Sequence, residues 1–303
     1  MQHSSQLLMI QPVQFEYNVE TAINNSFQVS TGKIDTQQNA LKEFNNLVAI
    51  LSAHEMEVMV IKDTTDPHTP DSIFPNNWIS FHEDGTLCLY PMFARNRRLE
   101  RKQTVLDQIK QQFEVQQIID FTQYEEENKF LEGTGSMVLD RENKIVYACI
   151  STRTNLDILK IFCEKLNYKL VYFEALDNQL LPIYHTNVMM CVADEYVIIC
   201  LDSIKDDTQK NLVLESINAT NKAIITISEQ QLTQFAGNML QVHNTKGTRY
   251  LVMSTKAYQS LSDDQIKTIS TFNNIIHADI STIEINGGGS ARCMIAEVFL
   301  KKK

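Results

Sequence analysis

Three side chains of this 303-residue chain could carry out nucleophilic chemistry together: Cys293, His185 and Glu132. Cys293 lies in "NGGGSARCMIAEVFL" (286–300), just after Gly287–Gly289, in a chain with only nine glycines. Three consecutive glycines suit either a tight packing turn or a close approach of another group to the thiol. A thiolate is a strong nucleophile once a partner lowers its pKa. His185, in "YHTN", can exchange protons with a leaving group and with water, because its ordinary pKa lies near about 6.5. Glu132, in "LEGTGS", can orient an imidazole or hold a cationic group. Each also has a plain structural reading, as a satisfied histidine, a core thiol or a turn glutamate. A repeat is what joins them.

Five stretches share one plan, in which a small polar residue precedes an apolar strand, usually a turn, and a second strand. They are "FPNNWISFHEDGTLCLYPM", "EGTGSMVLDRENKIVYACIS", "YHTNVMMCVADEYVIICLDS", "FAGNMLQVHNTKGTRYLVMS" and "GGGSARCMIAEVFL". Their polar origins are Asn77, Ser136, Asn187, Asn238 and Ser290, at intervals of 59, 51, 51 and 52 residues. Between them the apolar period changes from 2 to about 3.6. "TQQNALKEFNNLVAIL", "LERKQTVLDQIKQQF", "TNLDILKIFCEKLN" and "DDTQKNLVLESI" read as one-faced helices, and Ser262 with Gln265 as a capping box before "IKTISTF". Strand-like "YKLVYFEA", "KAIITIS" and "IIHADIS" follow the later helices. The unit is strand–turn–strand–helix–strand, and a period near 50 marks an array or propeller. One unit cannot bury its apolar face alone, so five should close around an axis as a single α/β domain over residues 1–303. The origins would then gather Asp71, Asn76, Asn77, Glu132, His185, Asn187, Asn238 and Cys293.

Composition narrows the partners. A net charge of −10 excludes a nucleic-acid partner held by phosphate contacts. No segment reaches the roughly 18 apolar residues of a membrane helix, and the N-terminus lacks a signal-peptide pattern. Six cysteines without close spacing look like neither a disulfide framework nor a zinc site, which fits a reducing cytoplasm. Cys88, Cys149, Cys191 and Cys200 fall in strand-like runs, as small core hydrophobes. The runs Glu125–Glu127 and Lys301–Lys303 read as solvated surface.

"DSIFPNNW", "LEGTGS", "STRTN", "YHTN" and "GGGSARCM" resemble, in order, the motifs of the guanidino-group-modifying (amidinotransferase) superfamily. Arginine deiminase, dimethylarginine dimethylaminohydrolase and the glycine amidinotransferases belong to it. The resemblance spans essentially the whole chain and implies a five-bladed pseudo-symmetric α/β propeller of ββαβ-type repeats. It implies Cys293 as nucleophile, His185 as proton carrier and Glu132 as the acid. It implies attack of the thiolate on a guanidino or ureido carbon, with a covalent thio-intermediate released by water and no metal or organic cofactor. Arg153 in "STRTN" matches a substrate-binding arginine, whose planar fork suits a carboxylate. Arg97, in the R-x-x-E pattern ending at Glu100, is a second candidate, with a surface helix start as its alternative.

Arginine deiminases grip the guanidinium with two aspartates, whose positions here hold Asn77 and Asn187. Removing the carboxylate partner of a buried cation costs about 3–5 kcal/mol. An amide complements a neutral ureido group instead, because it donates and accepts. Asp71 and Glu132 keep their charge. The chain also resembles the citrulline-utilisation hydrolases. The expected function is a C–N hydrolase on an arginine derivative or citrulline. An amidinotransferase, and a non-catalytic binder on the same propeller, stand as alternatives. A homodimer is compatible with this reading, which does not fix the oligomeric state.

Overall fold

The computed structural model describes residues 1–30 and 35–303. The strands are β1 (Gln6–Gln11), β2 (Glu57–Lys62), β3 (Ile79–Phe81), β4 (Thr86–Leu89), β5 (Gln117–Asp120), β6 (Val138–Asp140), β7 (Ile145–Cys149) and β8 (Lys169–Phe173). They continue as β9 (Met190–Val192), β10 (Tyr196–Ile199), β11 (Ala223–Thr226), β12 (Leu240–His243), β13 (Arg249–Ser254), β14 (Asn274–Ala278) and β15 (Ala296–Val298). They form five three-stranded sheets. In every sheet the first two strands pair antiparallel and the second and third pair parallel. A parallel pair needs a long crossover, and a helix supplies it. The helices Thr36–Ala53, Gln103–Gln112, Leu156–Leu166, Asp207–Asn218 and Asp263–Ser270 fill that role. This is the pseudo-five-fold α/β propeller that the repeat implies.

Four sheets are continuous in sequence, while the fifth is shared between the ends of the chain. β15 pairs with β1 (Gln6↔Val298, Leu8↔Ala296), and β2 follows across the helix Thr36–Ala53. The repeat beginning at Ser290 is thus completed by the N-terminus. Innermost strands touch across blades, β15 with β3, β6 with β9 and β9 with β12. Each crossover helix turns its apolar face onto its sheet; Ile158, Leu159, Phe162 and Leu166 pack beside Val146 and Ala148, for example. The Ser262–Gln265 capping box is present, and Ser228 with Gln231 forms a second one.

The polar origins lie at or beside tight turns that feed the first strands. Asn77 ends the turn Pro75–Asn77, Ser136 ends Gly133–Ser136, and Asn187 lies within Thr186–Val188. All five origins are at most 3% exposed. One expectation needs correcting. Glu125 is not solvated surface, because it accepts from the Met92 N–H at 2.8 Å and pairs with Arg101 at 2.8 Å. Glu126 and Glu127 are exposed, as are Lys301–Lys303. No helix among the described residues is long and apolar enough to cross a membrane.

Candidate active site

The turns are bonded to one another, so the side chains they carry are held to a common frame. Thr186 Oγ donates to the Ser136 carbonyl at 2.6 Å and accepts from the Cys149 N–H at 2.8 Å. Ser136 Oγ donates to the Arg153 carbonyl at 2.7 Å and accepts from the Glu132 N–H at 2.9 Å. Asn238 Nδ2 donates to the Asn187 carbonyl at 2.9 Å, and its Oδ1 accepts from the Arg292 N–H at 3.1 Å. The turns of His185, Glu132 and Cys293 are each fixed by a neighbouring blade.

A small cavity opens among them, lined by Asp71, Asn77, Arg97, Arg153, His185 and Cys293 together with Tyr184 and Gly287–Gly289. Its atom-free space, counted together with the solvent open to it, is ≈ 260 Å³. Cys293 is 4% exposed, His185 2% and Glu132 0%.

His185 Nε2 lies 2.8 Å from Glu132 Oε2. A carboxylate only accepts, so Nε2 carries the hydrogen and Nδ1 keeps its lone pair. Burial is the main influence on His185 and outweighs the support of Glu132, bringing its pKa to about 4. Burial alone would push Glu132 up; Arg153 and the His185 hydrogen bond overcome it and hold the carboxyl well below its usual range. The resting pair at neutral pH is therefore a carboxylate with a neutral imidazole, poised as a base at Nδ1. Glu132 Oε1 is anchored by the Phe93 N–H at 2.9 Å.

Two amides face the thiol. Asn238 Nδ2 lies 3.3 Å from Cys293 Sγ and Asn187 Nδ2 3.5 Å from it, so each can donate to the sulfur, while the thiol itself can donate to Asn238 Oδ1 at 3.6 Å. Burial pushes the thiols of Cys88, Cys149, Cys163 and Cys191 up to about 12, and that of Cys200 upward too. All six cysteines are free. Among the described residues no group of three or more His, Cys, Asp or Glu could hold a metal ion.

Two buried polar atoms of residues lining the cavity have no partner, Asn77 Nδ2 and Asp71 Oδ1; Asn76 Oδ1 and Asn187 Oδ1 also lack one, but neither residue lines this cavity, nor does Asn238. Asp71 Oδ2 accepts from Asn18 at 2.7 Å and Thr21 at 3.1 Å. Asn76 lies behind, donating to Thr134 Oγ at 3.3 Å, and does not line the cavity. The triple glycine serves both of its readings. Gly288 has φ +63°, a conformation that favours glycine, and a Cβ there would fall 2.5 Å from Asn25; a Cβ on Gly289 would meet Phe74 and Cys293.

Both arginines are buried and engaged. Arg97 is 2% exposed, which removes the reading of a surface helix start. It binds Glu100 in bidentate fashion at 2.8 and 3.0 Å, Asn77 Oδ1 at 2.8 Å and the Phe74 carbonyl at 3.1 Å. Arg153 donates to Asn24 Oδ1 through Nε at 2.9 Å and again through Nη2, to the Thr21 carbonyl at 2.8 Å, and to Glu132 at 3.5 Å. Thr21, Asn24 and Asn25 belong to a segment that sequence reasoning missed, since it carries no periodic pattern. Tyr184 was also missed, although it adjoins His185 in "YHTN". Its hydroxyl donates to the Gly288 carbonyl at 2.6 Å, and its ring lies 5.0 Å from the Arg153 guanidinium.

A family model described as N,N dimethylarginine dimethylhydrolase, eukaryotic, matches residues 11–300. No curated protein matches the sequence. Among solved structures, the N-terminal domain of ArgZ covalently bound to a reaction intermediate superposes with TM-score 0.75 at 17% identity, covering 98% of this chain and 99% of that one. ArgZ is an arginine dihydrolase from the ornithine-ammonia cycle in cyanobacteria; this chain spans 40% of its full length in the apo structure, at 16% identity and TM-score 0.75, with 96% of this chain covered. A dimethylarginine dimethylaminohydrolase adduct with S-methyl-L-thiocitrulline gives TM-score 0.65 at 13% identity, covering 98% of this chain and 100% of that one. Likeness at these identities establishes the shared fold.

Proposed function

The chain belongs to the N,N dimethylarginine dimethylhydrolase family, and from that premise we propose that it is a cysteine-dependent C–N hydrolase preferring a neutral ureido amino acid, citrulline being the first candidate. The observation that carries the preference is the set of partnerless atoms. Among the residues that line the cavity, Asn77 Nδ2 is a donor and Asp71 Oδ1 an acceptor. A ureido group offers one oxygen and several N–H groups, which answers both kinds. A guanidinium has donors only, so it leaves a buried Asn77 N–H unanswered, at about 1–3 kcal/mol.

In this reading Cys293 Sγ attacks the ureido carbon as its proton passes to His185 Nδ1. The Asn187 and Asn238 amides stabilise the developing thiolate. His185 returns the proton to the departing nitrogen, and a covalent thio-intermediate remains. With the ornithine amine gone, His185 takes a proton from water, whose oxygen attacks the same carbon; the C–S bond breaks and His185 returns that proton to Cys293 Sγ. The released carbamate breaks down to ammonia and carbon dioxide, so citrulline and water give ornithine, ammonia and carbon dioxide. Glu132 holds the imidazole in its productive tautomer throughout. Arg153 is the proposed clamp for the substrate carboxylate, which must displace Asn24 from the guanidinium. Cys293 and His185 on one cavity, with Glu132 bonded behind His185, favour catalysis over binding alone. Hydrolysis and amidino transfer differ only in which nucleophile meets the intermediate. Six free thiols favour a reducing cytoplasm.

Asp71 supports a second reading, arginine or a methylated arginine, because one carboxylate still faces the site. The test is a product assay on arginine, methylarginines, agmatine and citrulline that scores citrulline, amine, ammonia and ornithine separately. Citrulline should show the highest kcat/KM, and the double change Asn77→Asp with Asn187→Asp should move preference toward arginine. Arginine or a methylarginine outperforming citrulline in the unmodified protein restores the second reading.

A further inference from the structure

We propose that Arg97 is a positioning residue for substrate selection, fixing the Asn77 amide so that its nitrogen, not its oxygen, is presented to the substrate. This rests on Asn77 being a substrate contact, as read above. An asparagine amide turned by 180° occupies nearly the same space, so only its neighbours decide which atom points where. Arg97 has donors and no acceptor. Its Nη1 lies 2.8 Å from Asn77 Oδ1; turning the amide would set NH2 against N–H in a buried place. Asn77 Nδ2 has no hydrogen-bond partner in the protein and faces Gly135, where a Cβ would fall 2.4 Å from it. That same point lies 2.8 Å from His185 Nδ1, which places the donor beside the base.

Arg97 cannot yield to let the amide turn. Nε and one Nη2 hydrogen are taken by Glu100, the other Nη2 hydrogen by the Phe74 and Asp71 carbonyls, and one Nη1 hydrogen by Asn77. Of five N–H groups, a single Nη1 hydrogen is left. Burial works against the charge, but Glu100 and Asp71 more than offset it, so the guanidinium stays a donor at every working pH. Selection for an acceptor atom on the attacked carbon is thus set by Arg97 through Asn77, although Arg97 also lines the cavity.

The test compares kcat/KM for citrulline with that for thiocitrulline, whose sulfur is the weaker acceptor. Both compounds are neutral, so removal of the Arg97 charge cancels from this ratio. Arg97→Lys, which keeps a charged donor, should hold the ratio within about threefold of the unmodified protein even where both rates fall. Arg97→Met, and Arg97→Gln whose oxygen can accept from Asn77, should lower it about fivefold or more. Should Arg97→Met fail to fold, Arg97→Gln decides. A ratio unchanged in the Gln or Met protein, or lost as fully in Arg97→Lys, overturns the positioning role. Arginine outperforming citrulline in the unmodified protein overturns the substrate reading instead, and the oxygen-to-sulfur ratio still decides the role of Arg97.

Discussion

Gly135→Ala is the smallest change that should separate the catalytic geometry from the fold. The new methyl would lie 2.4 Å from Asn77 Nδ2 and 2.8 Å from His185 Nδ1, against ordinary contacts of about 3.5 Å. One side chain must move by about 1 Å, and a displacement of that size at a reacting group costs roughly 10²-fold in rate. Folding should suffer far less. Gly135 sits in the short helix Gly133–Ser136, where alanine is the better helix former by up to about 1 kcal/mol. That partly offsets about 1–3 kcal/mol of overpacking. The assay is ornithine and ammonia release from citrulline beside a thermal melt. Gly247→Ala is the control: that glycine has φ +82° with nothing within 4 Å of its missing Cβ, so it should lose a little stability and no activity. A folded Gly135→Ala protein within about threefold of normal kcat/KM would refute the assignment of Asn77 and His185 to the reacting centre.

Four further outcomes are expected. Cys293→Ser should keep the fold and lose turnover, because a hydroxyl stays protonated near neutral pH and His185 alone activates it too little; near-normal rates would end the covalent mechanism. Iodoacetamide at neutral pH should label Cys293 ahead of the five thiols that burial pushes upward, with peptide mapping as the readout; uniform slow labelling counts against an activated thiol. The acid limb of kcat/KM should lie near pH 4 rather than 6.5, since burial lowers His185 to about 4 and its neutral form is the base. Rates should therefore hold as pH falls through 6.5. A limb at 6.5 contradicts the assignment, and Glu132→Gln, which removes the orienting carboxylate, should cut kcat about 10²-fold or more at every pH.

The parts legible in the sequence are those with a period. Intervals of 51 to 59 residues place Asn77, Ser136, Asn187, Asn238 and Ser290 at or beside the inner turns, and the apolar spacing locates the crossover helices. Ser262 and Gln265 announce a helix start by local chemistry alone. What escapes is whatever depends on distant chain. Asn24 and Thr21 hold Arg153 from about 130 residues away, without apolar spacing to announce them. In the sequence Arg97 reads either as a substrate-binding arginine or as a surface helix start, and only the burial of Glu100 beside it removes the second. Glu125 leaves its acidic run because Arg101 and the Met92 N–H lie within reach. The completion of the last blade by β1 and β2 is invisible to a repeat search, which reads forward only.

That shared blade ties ring closure to the placing of the thiol. Gln6 and Val298 are partners although about 290 residues separate them in the sequence, and closing so long a loop is slow. Cys293 comes three residues before β15, so in the reading proposed above the pairing that closes the ring also brings the thiol to His185. While β15 is unpaired from β1, the polar turns of the other blades can form without it, and reactivity waits on the last contact of the fold.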